Sequence, residues 1–178
     1  MNVKDLAVTR VNDATTLFKD IVKNFLRVRH NADDDLIETI IDSAIEEFED
    51  YCRVYLLRTD AVSKPMNFCG TSFVIDGHEI DTIVIKSHTT VADAGTTISP
   101  TEYEVTDEPF GKRVTFNETI DGLISYSATL GFSVLPNPIK TALMIRCSTL
   151  YHDREETVHR LPTTVTQRLS PYKLYRIA

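Results

Sequence analysis

The chain has 178 residues and a formal charge of -7, from 19 basic against 26 acidic side chains. A molecule of that balance repels a phosphate backbone as a whole, which disfavours sequence-independent nucleic-acid binding. With 42% apolar and 25% charged residues it has the proportions of a soluble globular protein able to bury one sizeable core, and no apolar run reaches the roughly 20 residues of a membrane span.

No basic start followed by an apolar stretch marks the chain for export, so it is expected to stay in the cytoplasm where it is made. Cys52, Cys69 and Cys147 are odd in number, far apart and without CxxC spacing. They are expected to be reduced and packed, with neither a disulfide framework nor a zinc site.

In chain order, residues 1–16 carry little pattern and are expected to form a mobile or partner-ordered arm. From Leu17 to Val28, the apolar Leu17, Phe18, Ile21, Val22, Phe25 and Leu26 recur at helical spacing and predict a short amphipathic helix. Its basic Lys19, Lys23, Arg27 and Arg29 read more simply as a solvated face paired with the nearby Asp33 to Asp35 turn than as a nucleic-acid patch. The longest single-period stretch is Asp33 to Leu57. Ile37, Ile41, Ala44, Phe48, Tyr51 and Tyr55 share one face of a predicted long helix, Asn31 or Asp33 caps its start, and its acidic first turn suits the helix dipole.

From Phe68 to Gly131 the pattern changes to about five short strands separated by turn residues. Asp76-Gly77 suits a tight hairpin between Phe73–Ile75 and Thr82–Ile85, and Ser87 to Pro100 reads as a loop or an exposed hairpin tip. A second long helix is expected from Pro138 to Asp153, capped by Asn137, with a stripe of Ile139, Ala142, Leu143, Cys147, Leu150 and Tyr151 fit to lie along the first. Leu161, Val165 and Leu169 predict one more short helix ended by Pro171, and the tail beyond it is unusually apolar. The expected fold class is therefore α+β. A mainly α-helical core of a short helix, two long packed helices and a short C-terminal helix carries an inserted antiparallel β-rich region at 68–131, within a single domain 1–178.

Chemistry-bearing constellations are absent from the sequence. The carboxylate runs read as helix caps and faces, and His30, His78, His88, His152 and His159 sit singly without ligand spacing. Neither a phosphate loop nor a GxSxG elbow is present, and Arg154-Glu155 reads as an ion pair at a corner.

Two outer blocks carry a family likeness. FLRVRHNADDDLIETIIDSAIEEFEDYC, and LPNPIKTALMIRCSTLYHDRE followed by LPTTVTQRLSPYK, resemble the opening and the ending of the head-to-tail connector (adaptor) proteins of tailed bacteriophages. TEYEVTD and LISYSATLGF are similar to the region ahead of that ending. The resemblance implies a structural virion protein of the neck. It would form a homo-oligomeric ring, most often of twelve copies, beneath the portal protein. The ring would extend the channel through which DNA passes without sequence-specific binding, and would meet the next neck or tail component, a head-closure (stopper) or tail protein. No catalysis, cofactor, metal or membrane is implied. In the family the C-terminal segment commonly reaches the portal, which points to Leu169, Pro171 and Tyr172. The aromatic and basic residues that follow extend the expected portal-docking tail, 170–178, to Leu174, Tyr175, Arg176 and Ile177. The competing readings are a small cytoplasmic binding or regulatory protein with no virion role and, third, an enzyme with an unrecognised site, both separable by whether the chain forms large symmetric oligomers.

Overall fold

The computed structural model describes residues 6–153 and 161–175. Arg154, Glu155, His159, Arg176 and Ile177 lie outside the described residues. The fold is α+β, and its contacts divide the chain into two compact units, one of Asn12–Leu57 with Val134–Ala178 and one of Met1–Val11 with Arg58–Ser133.

The first unit is helical. Its α1 (Ala14–Leu26) begins three residues earlier than its apolar pattern, because Asp13 accepts hydrogen bonds from the Thr15 amide (3.3 Å) and from the hydroxyls of Thr15 and Thr16 (2.6 and 3.0 Å). Those bonds hold the Asp13 carboxyl below its usual range. Then α2 (Asp34–Cys52) buries Ile37, Ile40, Ile41, Ala44, Ile45, Phe48 and Cys52. This stripe is wider than expected, while Tyr51 and Tyr55 are only half-buried.

Helix α2 also stops five residues short of Leu57. Arg53 turns left-handed (φ 61°), and the Glu49 carboxylate then accepts from the amides of Leu56 (3.0 Å) and Leu57 (3.3 Å). A side chain thus replaces the helical carbonyl partners that those amides would otherwise need.

Helix α3 (Asn137–His152) has Pro136 at its N-cap, so Asn137 lies inside the helix and makes no side-chain cap. It packs on α2, and Tyr151 donates to the Asp33 carboxylate at 2.5 Å, fixing its far end to the start of α2. The short α4 (Thr163–Leu169) buries Val165 and Leu169 and packs on α3. Pro171 does not follow a simple stop; it sits within a 3-10 turn, Ser170–Tyr172.

Among the described residues the second unit is an antiparallel sheet of seven strands rather than about five, three of which begin before the expected 68–131 region. Its spine is the 20-residue strand β7 (Gly111–Leu130). One flank of β7 carries β2 (Thr59–Ser63) and β3 (Met66–Asp76); the other carries β4 (Asp81–His88) and β6 (Tyr103–Glu108). The short β5 (Thr96–Thr97) adds to β4, leaving 89–95 as a hairpin tip. At the opposite edge β1 (Leu6–Arg10) pairs with β2 in the register Leu6↔Ser63 to Arg10↔Thr59. The expected arm at 1–16 is therefore corrected: among its described residues, 6–10 form a strand and Ala14 begins α1. Four of the five β1 residues are exposed, so main-chain hydrogen bonds rather than apolar burial hold the strand, and these leave no hydropathy signal.

The expected Asp76-Gly77 hairpin is also corrected. Strands β3 and β4 pair not with each other but with opposite flanks of β7, and the two-residue hairpin turn is instead Pro109-Phe110, between β6 and β7. The connection 77–80 joins Asp76, paired with Gly111, to Asp81, paired with Thr129. Those two partners would stand roughly 60 Å apart on a straight strand, whereas five residue steps reach at most about 18 Å. Strand β7 must therefore curl.

The bend falls near Asn117 to Thr119, where the β3 register shifts between Gly70 and Ser72. At the closure the Gly77 amide donates to the Phe110 carbonyl (3.1 Å) and the Gly131 amide to the His78 carbonyl (2.8 Å). Arg58 seals it by donating to the carbonyls of Glu79 (2.9 Å) and Gly131 (3.2 Å) and pairing with Asp81. The Glu79 carboxylate in turn accepts from the amide and hydroxyl of Ser133, which hold it below its usual range. Inside the curl Phe68, Phe73, Phe116 and Tyr126 meet edge-on or tilted, with centroids 5.7–6.0 Å apart.

Candidate functional site

The candidate docking residues lie where the chain turns back after α4. Leu169 is fully buried, and its carbonyl lies 3.9 Å from the Cys52 thiol, so its side chain serves the core of the helical unit. Past the turn, the Leu174 amide donates to the Cys52 carbonyl (2.9 Å), using an acceptor at the end of α2 that the helix cannot satisfy itself. Lys173 lies over the Tyr51 ring at 4.1 Å and near the Tyr175 ring at 5.8 Å.

The structure therefore brings Pro171, Tyr172, Leu174 and Tyr175 together at the C-terminal end of α2. Pro171 is exposed, Tyr172 and Leu174 are half-buried, and Tyr175 is 63% exposed. Burial, with Tyr175 beside it, pushes the Tyr51 phenol up. Burial likewise pushes the thiols of Cys52 and Cys147 up to about 12. Cys69 departs from the expectation of packed cysteines, being exposed on β3.

The basic face of α1 divides. Lys19 pairs with Asp34 (2.8 Å) and Glu38 (2.7 Å), and Lys23 pairs with Asp34 (2.5 Å). These bonds hold the Asp34 carboxyl below its usual range and raise Lys19. Arg27 and Arg29 are exposed at the end of the helix and make no ion pair among the described residues. The apolar residues of α1 divide too. Ala14, Phe18 and Val22 are buried, but Leu17, Ile21 and Phe25 are 45%, 44% and 48% exposed. The sequence placed all six apolar residues of its expected helix in one set; spacing alone does not tell an inward stripe from an outward one 100° away.

One histidine acquires partners that spacing did not foresee. Nε2 of His88 lies 2.7 Å from the Ser125 hydroxyl, across the β4–β7 pairing, and its Nδ1 lies 3.0 Å from the Asp93 carbonyl. The Asp93 carboxylate instead accepts from the amide and hydroxyl of Thr89. The orienting partner of the imidazole is thus a backbone carbonyl, and the arrangement pins the 89–95 tip to β7. Among the described residues, no group of three or more His, Cys, Asp or Glu side chains is placed to hold a metal ion, and no helix is long and apolar enough to cross a membrane.

Comparison with known proteins gives a family and a set of solved structures. The sequence profile of the family described as "Phage gp6-like head-tail connector protein" matches residues 20–97. No curated protein matches the chain significantly. Among solved structures, a chain in the neck of an empty GTA particle, computed with C6 symmetry, superposes with a TM-score of 0.75 at 15% identity, covering 97% of each chain. A chain in the neck of the native GTA particle, computed with C12 symmetry, does so with a TM-score of 0.75 at 14% identity, again covering 97% of each. A chain in the virion of the native gene transfer agent particle matches at 0.75 and 14%, covering 96% of this chain and 97% of that one. These likenesses extend over both units and establish the fold. On sequence and fold together, the chain resembles the head-to-tail connector proteins of tailed bacteriophages.

Proposed function

We propose that this chain is a head-to-tail connector: a structural protein of the virion neck that forms a homo-oligomeric ring beneath the portal, extends the DNA channel and seats the next neck or tail component. The observation that carries this reading is the fold likeness to neck chains over 97% of both partners. The profile match at 20–97 points the same way from sequence alone. The C12 symmetry of one matched neck supports twelve copies as the ring size. A motif-poor chain of two compact units needs no chemical step for this work.

Portal docking is assigned to the turn and tail after α4, with Pro171, Tyr172, Leu174 and Tyr175 as contacts and Arg176 and Ile177 continuing them. Leu169 anchors the segment from inside. The support is the pairing of a fixed root, at Cys52 and Tyr51, with exposed aromatic area at Tyr175: a pre-ordered segment loses less entropy on binding. Sedimentation of the full chain with portal rings of the same particle tests the role, and Tyr175→Ala with Pro171→Ala tests the segment. The expected result is co-sedimentation of the native chain, and loss of it in the variant at an unchanged melting temperature. A chain that never joins the portal contradicts the role; a variant that joins it normally contradicts the segment.

A further inference from the structure

The outer stripe of α1 is left close to half exposed among the described residues. Leu17, Ile21 and Phe25 stand one turn apart at i, i+4 and i+8, each close to half exposed, while Phe18 and Val22 already supply the inward face. The side chains that could lie over the stripe are engaged elsewhere, because Lys19 and Lys23 are drawn to Asp34 and Glu38. A run of Leu, Ile and Phe left open along one helix is an interaction surface in waiting.

The charges around the stripe say what covers it. At its C-terminal end stand Arg27 and Arg29, exposed and without an ion pair among the described residues. Helix α2 presents outward a row of opposite sign, Asp35, Asp42, Glu46 and Asp50, interspersed with the small Thr39 and Ser43. A head-to-tail ring requires each subunit to offer two different, complementary surfaces, and these two are complementary in charge.

We infer that the α1 stripe, Leu17, Ile21 and Phe25 with Arg27 and Arg29 at its end, docks on the outer face of α2 in the neighbouring copy of this chain. This inference rests on the connector reading and adds the surface through which copies meet. The exposed small residues of α2 let the stripe approach closely, and the two guanidiniums reach the carboxylates of the row. A contact of this kind weakens with salt through its charges but not through its apolar centre.

Ring formation by the full chain, alone and on portal rings, is read by mass photometry and electron microscopy, with a melting curve for every variant. Ile21→Asp with Phe25→Ser is expected to raise the concentration for half-assembly by at least about tenfold, as loss of a central apolar anchor does, with melting unchanged. Arg27→Glu with Arg29→Glu is expected to weaken assembly, and adding Glu46→Lys with Asp50→Lys to restore it. Stripe variants that assemble like the native chain, or a charge swap without rescue, would overturn the inference alone. A native chain that forms no ring in either setting would overturn it together with the connector reading.

Discussion

Arg146 of α3 is 3% exposed in its side chain and grips Glu47 of α2 with a two-pronged bond, Nε to Oε2 at 2.8 Å and a terminal nitrogen to Oε1 at 3.0 Å. The Glu47 side chain is 38% exposed, so one partner is dry and the other keeps some water. The pair joins the two long helices where a simple apolar seam was expected.

Arg146→Ala leaves a cavity and an unpaired Glu47, and the expected loss is about 2–4 kcal/mol, below the full figure for a pair buried on both sides. Arg146→Lys recovers only part, since an ammonium cannot offer the planar fork. Denaturant midpoints measure both, and an unchanged midpoint in Arg146→Ala would mean that the pair does not hold α3 to α2.

Two glycines of β7 separate close packing from mere sequence. A Cβ at Gly111 would stand 2.2 Å from the Ile75 carbonyl oxygen, a backbone atom with no rotamer to yield, whereas one at Gly122 would meet nothing within 4 Å. Gly111→Ala is expected to cost about 2 kcal/mol or more and Gly122→Ala to stay within about 0.5 kcal/mol of native. Equal melting shifts for the two would contradict the closure of the sheet at the start of β7.

The α1–α2 clasp has an acid limb. Lys19 and Lys23 hold the Asp34 carboxyl below its unfolded value, so the stabilisation is fully present above about pH 4 and is lost as pH falls through the folded value. Lys19 is raised, so its share is present below about pH 10 and is lost only as pH rises through its own folded value. Asp34→Asn should therefore destabilise the chain at neutral pH, and the difference from native should shrink as the solution is taken down from about pH 4. A difference independent of pH would show that the clasp acts through shape alone.

The thiols give a test without any substitution. Cys69 is exposed, while Cys52 and Cys147 are fully buried with thiols pushed up to about 12. A maleimide at neutral pH should label one thiol per native chain, identified as Cys69 by peptide mass, and three after unfolding. Labelling of Cys52 in the native state would mean that the α4 turn opens readily from α2.

Helices were legible in the sequence where period and burial coincide, as at Ile37, Ile41, Ala44 and Phe48, and at Ile139, Leu143 and Cys147. Their ends were less so. Arg53 stops α2 through a left-handed turn that hydropathy does not encode, and Glu49 completes the stop with a side chain that looked like part of a solvated face. Arg146 occupies an inward position, three residues after Leu143 and four after Ala142, and its partner Glu47 is too distant in sequence for any local pattern to mark the pair. Strand β1 and the curl of β7 depend on pairing between residues distant in sequence, which one-dimensional patterns do not carry. Of the candidate docking residues, Leu169 carried two readings in the sequence, the apolar spacing of the short helix and the portal contact implied by the resemblance, and packing gives its side chain to the core.

The most direct test of the connector reading is electron microscopy of the purified chain mixed with the portal ring of the same particle, averaged without imposed symmetry. The account predicts a second ring stacked on the portal, with one copy of this chain per repeat, twelve in all, and the segment around Pro171, Tyr172 and Tyr175 facing the portal. Portal rings that remain bare at saturating protein, with the chain staying monomeric beside them, would contradict it.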